Sequence, residues 1–402
     1  VAYQTAANIL VALRRETTTG TAAGVTASLA SVLRIIDSPG LGLKRAVVTS
    51  AEKRDDGFAA MGRLGGKSVD GSYNTELTVG GATDILAEAI LRGAWATATA
   101  IAFADCTTIT CGTGTVSRAA GDWATDGIRV GDIFYLTGYS TAANNGINLR
   151  AVAVSSLNIT VATGALTSGA ADAAGTLTRI SKLVAGTTPT RYSHSVEQYD
   201  QDVDLSELFL GCRLVGMKLS FKPGAMATAQ YTFMGMDRTA LATGTSPYFL
   251  TPVVTTSLAL LADDSSILFN GALVANFTGF DLSFDITAKG EPVIGSLVMP
   301  DVFDNDCRVT GTVTGLRSDF GKITLFDAET EFAVSIRLQE PTGTPPASFG
   351  VFLPRVKISG LSAPVGGGDG AKIETLELMI GPKATATGYD ATTALFTSSA
   401  TH

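Results

Sequence analysis

The chain has 402 residues, 45% hydrophobic but only 7% aromatic and 16% charged, with 44 glycines and 13 prolines. That balance excludes a disordered chain, a coiled coil and a collagen, and it suits many short strands on closely packed sheets. The net charge of −8, from 37 acidic against 29 basic residues with no basic run, argues against a stable grip on a phosphate backbone.

In residues 1–15 the basic pair Arg14-Arg15 follows the apolar stretch, the reverse of a signal peptide. No apolar run approaches the length that spans a bilayer, so a soluble cytoplasmic product is expected. Around Gly62-Arg63-Leu64-Gly65-Gly66-Lys67-Ser68 the chain approaches a phosphate-binding loop. The residue five before Gly66 is Met61, however, and Ser68 to Tyr73 alternates like a strand, so that reading fails. Residues 83–92 carry helical spacing, with Ile85, Leu86, Ala89 and Ile90 on one face, Thr83 as the expected N-cap and Gly93 as the terminator.

From about residue 97 to 182 the chain turns rich in Ala, Thr and Gly and poor in charge. Strands are expected at 128–136, 149–154 and 159–161, with a hairpin turn at Asn144-Asn145-Gly146, the pattern of a small sandwich or barrel. Cys106 and Cys111 are near enough in sequence to pair or ligate. With no second Cys pair or His cluster, they read like Cys212 and Cys307 as isolated buried thiols. His194 lies in an alternating segment, as a half-buried or edge histidine rather than a catalytic base, and the other histidine is His402. Asp301, Asp304 and Asp306 lack the glycine and closing glutamate of a calcium loop and read as a polar turn. Gly366-Gly367-Gly368-Asp369-Gly370 reads as a loop between strands. No catalytic, metal or cofactor residues are expected, and an enzyme is the least favoured class.

The more informative signal is internal repetition. Val69-Asp70-Gly71-Ser72 opens a strand-like stretch leading to the first helical pattern, and Val309-Thr310-Gly311-Thr312 opens another leading to residues 322–329, where Ile323, Leu325 and Phe326 are available for a core. The spacing from Gly71 to Gly311 equals that from Ile85 to Leu325. Leu210-Gly211-Cys212-Arg213-Leu214-Val215 is likewise echoed by Phe352-Leu353-Pro354-Arg355-Val356-Lys357, at a shorter spacing that leaves room for the 97–182 segment in the first copy. Each echo runs through a Gly/Pro loop into an alternating strand, at 230–236 and 374–380. Alternation sends Glu374 and Glu377 to opposite faces.

Three stretches then carry a resemblance: Val48 to Gly57 returning through Gly66 to Ser72, the helix ending Leu91-Arg92-Gly93-Ala94-Trp95, and Leu353 to Ile358 with its following loop and strand. Together they resemble the major tail tube proteins of long-tailed phages with non-contractile tails. The resemblance implies a mainly β fold: two tail-tube-type β-sandwich/barrel modules, each with a short helix, plus an inserted small β domain. The first module would comprise residues 1–96 with 183–245, the insert 97–182 on the outer surface, and the second module 246–402.

The function so implied is structural: stacked rings forming a hollow tail tube through which DNA passes during ejection. Contractile-tail or secretion-system tubes and capsid decoration are the alternatives. The implied partners are further copies of the chain, as a trimer with pseudo-sixfold symmetry or, failing that, a hexamer. Tail terminator, tape measure and distal tail proteins join them, with double-stranded DNA passing without specific binding and no membrane. The implied location is the virion tail, assembled in the host cytoplasm, and no cofactor is expected. The connection with Glu52, Lys53, Arg54, Asp55, Asp56, Arg63 and Lys67 mixes charge signs closely and is expected to contact an adjacent ring.

Overall fold

Alternating apolar and polar residues become strands through most of the chain, in a computed structural model that describes residues 3–25, 30–186, 188–365, 370–382 and 393–400. His402 and all but the last residue of the glycine-rich loop at Gly366 to Gly370 lie outside the described residues. The chain opens with β1 (Ile9–Arg15), β2 (Ser31–Leu33), β3 (Gly40–Val48) and β4 (Arg63–Glu76), then helix α1 (Ala82–Leu91). Short strands follow: β5 (Thr99–Ala102), β6 (Ile109–Cys111), β7 (Thr115–Arg118) and β8 (Ile133–Thr137). Next come β9 (Leu149–Arg150), β10 (Ala153–Val154), β11 (Asn158–Thr160) and β12 (Thr176–Arg179). The chain then returns through β13 (Ser181–Val184), β14 (His194–Asp200), β15 (Leu205–Phe221), β16 (Thr228–Gly235) and β17 (Asp237–Leu241). The remainder forms β18 (Ser265–Phe269), β19 (Ala272–Val274), β20 (Phe277–Gly290), β21 (Val302–Leu316), helix α2 (Gly321–Asp327), β22 (Phe332–Gly343), β23 (Pro346–Ser362), β24 (Ile373–Ile380) and β25 (Ala394–Thr397).

One antiparallel sheet runs β3, β4, β16, β15, β20, β21, β24, β23. Strands β15 and β23 are long enough to serve two layers. Their N-terminal parts pass a bulge and enter a second layer, β2–β1–β14–β15–β17 in the first half and β19–β18–β22–β23–β25 in the second. Side chains alternate in and out, as in β16, where every second residue is buried. Tyr73, Tyr231, Phe233, Phe280 and Phe284 fill the space between the layers at 1% exposure or less. Burial of apolar area on this scale is the dominant stabilising term.

The two halves share their ladders. Pair Ser72↔Thr232 matches Thr312↔Glu377, and Gly216↔Thr232 matches Gly360↔Glu377. The β14·β15 step from His194↔Cys212 to Val196↔Phe209 has its counterpart in Phe332↔Val356 to Val334↔Leu353, bulge included. Val11↔Leu33 likewise corresponds to Ile267↔Val274. This register equates Cys212 with Val356, so Arg213 matches Lys357 rather than Arg355, a shift of two residues from the sequence echo. A two-residue slip keeps every side chain on its own face, which is why alternation alone missed it.

Several local expectations change. Helix α1 starts at Ala82 behind Gly81 (φ 60), which has no side-chain cap, and Thr83 lies buried inside the first turn with its hydroxyl 3.3 Å from that of Thr78. The helix closes on Arg92 in the left-handed region, φ 53, before the Gly93 amide donates to the Glu88 carbonyl at 3.3 Å. In α2, Leu325 packs on the core, but Phe326 is exposed. The segment with Asp304 and Asp306 is strand, not turn, because β20 and Arg side chains pair it.

Residues from Thr99 to Arg179 form two four-stranded sheets, β10–β11–β7–β6 and β5–β12–β8–β9. Their own core centres on Trp123, Phe103 and Phe134, with the Arg118 guanidinium 4.5 Å from the Trp123 ring centre. Gly131 (φ 93) turns the chain, so β8 begins only at Ile133. The Asn144-Asn145-Gly146 segment is part of a longer connection between β8 and β9 rather than a tight hairpin, because the Asn144 amide is buried and bonded to Thr167. This unit packs on the second half. The Arg150 guanidinium donates to the Ile336 carbonyl at 2.8 Å, Asn148 to Pro346 at 2.8 Å, and Ile133 joins Phe352 and Phe396 in a small cluster.

Candidate assembly surfaces

Facing away from the sandwich core, the long sheet presents Ser72, Asn74, Gln230, Thr232, Ser283, Thr310, Thr312, Thr314 and Thr375. Among these polar residues stand Asp70, Asp281, Asp285 and Glu377, with Lys44, Lys218 and Arg308 on the same face. Lys44 and Asp70 pair at 2.6 Å. Glu377 is exposed there, whereas Glu374 is 1% exposed on the core side, 2.5 Å from the Lys322 amine, so the two glutamates do lie on opposite faces.

Where the halves meet, β15 and β20 pair from Gly216↔Asp285 to Phe221↔Phe280, burying Met217, Leu219, Leu282 and Phe284. The structural counterparts of these strands, β23 and β3, lie at the two ends of the same sheet. Among the described residues β3 pairs along its length only with β4, and β23 beyond Val356 only with β24. Leu43 and Leu361 are correspondingly only half-buried, and Gly42 and Ser362 are exposed.

A second seam lies at one rim. The β20–β21 connection crosses to the first half, where the Lys67 amide donates to the Leu297 carbonyl at 2.7 Å. Met299 and Val302 there close over Met236 and Met234. Arginines clamp it: Arg213 forks onto Asp301 at 2.9 and 3.0 Å, and Arg191 meets Asp304 at 3.0 Å. Asp301 and Asp304 are therefore arginine partners. Among the described residues no three His, Cys, Asp or Glu side chains could hold a metal together.

Of the charged connection, Glu52, Lys53, Arg54, Asp55 and Asp56 are exposed between β3 and β4, and Arg63 opens β4. Arg54 and Asp56 pair within it at 2.6 Å, which raises the arginine pKa and lowers the carboxyl. Lys67 stands apart, half-buried within β4 with its amine 2.7 Å from Asp237. Sequence reasoning missed the apolar members of this hairpin. Val47, Val48, Phe58, Met61 and Leu64 are 56% exposed or more, and the signal available was large apolar residues interrupting a polar loop.

His194 is fully buried in β14, between β1 and β15, not half-buried and not at an edge. Burial first, then the Arg15 and Arg213 charges, lowers its pKa to about 3, so it stays neutral. The four cysteines are free thiols, with Cys106, Cys111 and Cys212 buried and Cys307 half-buried; burial raises the pKa of each.

Long paired strands, a polar sheet face and, among the described residues, sheet edges paired on one side only define a mainly β protein. The family described as phage tail tube protein matches residues 6–388, and the chain belongs to it. None of the curated proteins matches the chain. Membership makes it a structural component of a phage virion tail, from a family of non-enzymatic proteins that self-assemble into a tube with other tail proteins.

Proposed function

We propose that the two halves are copies of one tail-tube module, residues 1–96 with 183–245 and residues 246–402, with 97–182 as an insert on the outer surface. Three chains then close a ring of six modules. The single observation carrying this is that the β15·β20 seam joins the halves while, among the described residues, the matching edges, β3 and β23 beyond Val356, stay open. Carrying the internal register across chains pairs Lys44 with Gly360, Leu43 with Leu361, Gly42 with Ser362 and Leu41 with Ala363 of the next copy. Closing the circle leaves no sheet edge exposed to stray pairing.

In that ring the polar sheet face lines the channel. A duplex carries dense negative charge, and hydroxyls and amides with interspersed carboxylates let it slide, where arginine forks would hold it. Stacked rings of this kind form the tube of a non-contractile tail, joined by terminator, tape measure and distal tail proteins. Glu52, Lys53, Arg54, Asp55, Asp56 and Arg63 touch the adjacent ring, each pair weak alone but repeated around the circle.

Negative-stain electron microscopy with mass photometry of purified protein tests the reading. Hollow filaments built from rings of three chains are expected; rings of six chains, or closed oligomers that never stack, would overturn it. Replacing Lys53 and Arg54 by Glu is expected to leave the chain folded and rings intact while long tubes disappear. Tubes of normal length from that variant would remove the stacking role.

A further inference from the structure

The rim seam inside the chain has an uncovered twin. In the first half, Met234 near the end of β16 is covered by the β20–β21 connection, and Lys67 on β4 pairs with its backbone. The ladder equates Met234 with Met379 on β24 and Lys67 with Cys307 on β21. Met379 is 55% exposed, and among the described residues no counterpart of the crossing connection covers it.

That counterpart would be the β3–β4 connection, whose root is apolar at the matching places. The ladder equates Leu64 with Asp304, and counting back from that pair sets Phe58 at the place of Val298 and Met61 at that of Asp301. These three side chains are 74%, 93% and 56% exposed. A single chain cannot bring them onto Met379, because β3–β4 and β24 lie toward opposite ends of the eight-strand order.

Resting on the ring proposed above, we propose that the β3–β4 hairpin root of one copy seats on the β21–β24 rim of the next. Phe58 and Met61 cover Met379 there, beside Cys307. The occupant is a second copy of this chain, because the intrachain seam already shows the same strand positions making this contact in cis. The chemistry differs on both sides of the contact. Arg213 is replaced by Lys357, which lies 3.6 Å from Glu329 on its own chain, and the aspartates are replaced by Met61 and Leu64. The contact between copies is therefore an apolar seat without the arginine clamp of the seam within the chain.

The test uses the full chain carrying Phe58→Cys and Met379→Cys, with Cys307→Ser to remove the nearest native thiol, treated with a short bismaleimide. Both new thiols are exposed in the single chain, so folding is expected to persist. Linked dimers and trimers are expected from assembled tubes and not from dilute single chains, and Phe58→Asp is expected to raise the concentration needed for ring formation about tenfold. A parallel pair, Gly42→Cys with Ser362→Cys, reads the sheet edges. Edge links without Phe58–Met379 links, or unchanged ring formation by Phe58→Asp, would overturn the hairpin seat and leave the ring standing. Absence of both links from particles of the assembled protein would overturn the ring itself.

Discussion

The β15·β20 seam and the two outer edges, β3 and β23 beyond Val356, are made by corresponding strands of the shared ladder, covered in one place and open in the other among the described residues. Phe284 on β20 is completely buried, while its ladder counterpart Leu43 on β3 is half-buried. Met217 on β15 is buried, while its counterpart Leu361 is half-buried. The fold is the same on both sides, so the difference in burial measures what a neighbour would supply rather than what the strand itself specifies. Lys44 and Arg45 at the open edge are charged residues of the kind that guard an exposed strand against stray pairing.

The sharpest way to break the comparison is to make the open edges repel. Gly42 and Ser362 stand opposite each other in the transferred register, and like charges directly opposite on paired strands are unfavourable. With both replaced by Asp, ring formation is expected to vanish, while the thermal unfolding of the single chain barely moves. Pairing Gly42→Asp with Ser362→Lys is expected to restore rings. If the double Asp variant forms tubes as seen by electron microscopy, the register is wrong.

Truncation on the two sides comes next in size. Phe284→Ala hollows a fully buried site and is expected to cost about 3–5 kcal/mol in denaturant unfolding of the single chain. Leu43→Ala removes a half-covered side chain and is expected to cost about 1 kcal/mol there, with a further loss appearing only in assembled tubes. Equal costs in the single chain would mean that β3 is already covered without a partner.

How much of this could be read beforehand depends on the kind of signal. Periodicity located β4, β16 and β24, and the echoes at Gly71 and Gly311 proved to be matched ladder positions; at Gly71 the close approach of the Gly40 carbonyl leaves no room for a Cβ. The small sheets and separate core of residues 99–179 were visible as a compositional change. Hidden from the sequence were the arginine clamp on Asp301 and Asp304, whose partners come from distant strands, and the displacement of Lys67 from the charged connection, set by Asp237 across the sheet. Thr83 misled because Gly80 and Gly81, both with positive φ, turn the chain into α1 ahead of it. The open edges could not be seen at all, since a strand's sequence does not state whether its second side is paired within the same chain.

An effect well below that of Phe284→Ala compares the halves at one ladder position, where the first holds His194 and the second Phe332. Histidine in the unfolded chain takes a proton near pH 6.5, whereas His194 in the fold does so only at about pH 3. The unfolded state therefore binds more protons between these values, and stability contributed at this site falls as pH drops below about 6.5, reaching its full loss near pH 3. At pH 5.5 the loss is about 1.4 kcal/mol relative to pH 7.5. Asp132, raised to about 6 by burial, acts with the opposite sign over part of this range, so the readout is the difference between the chain and a His194→Phe variant. The variant is expected to lose less stability between pH 7.5 and 5.5 than the natural chain, in denaturant unfolding of the single chain. Identical pH slopes would show that His194 is protonated as readily in the fold as out of it, and that burial at this position is incomplete.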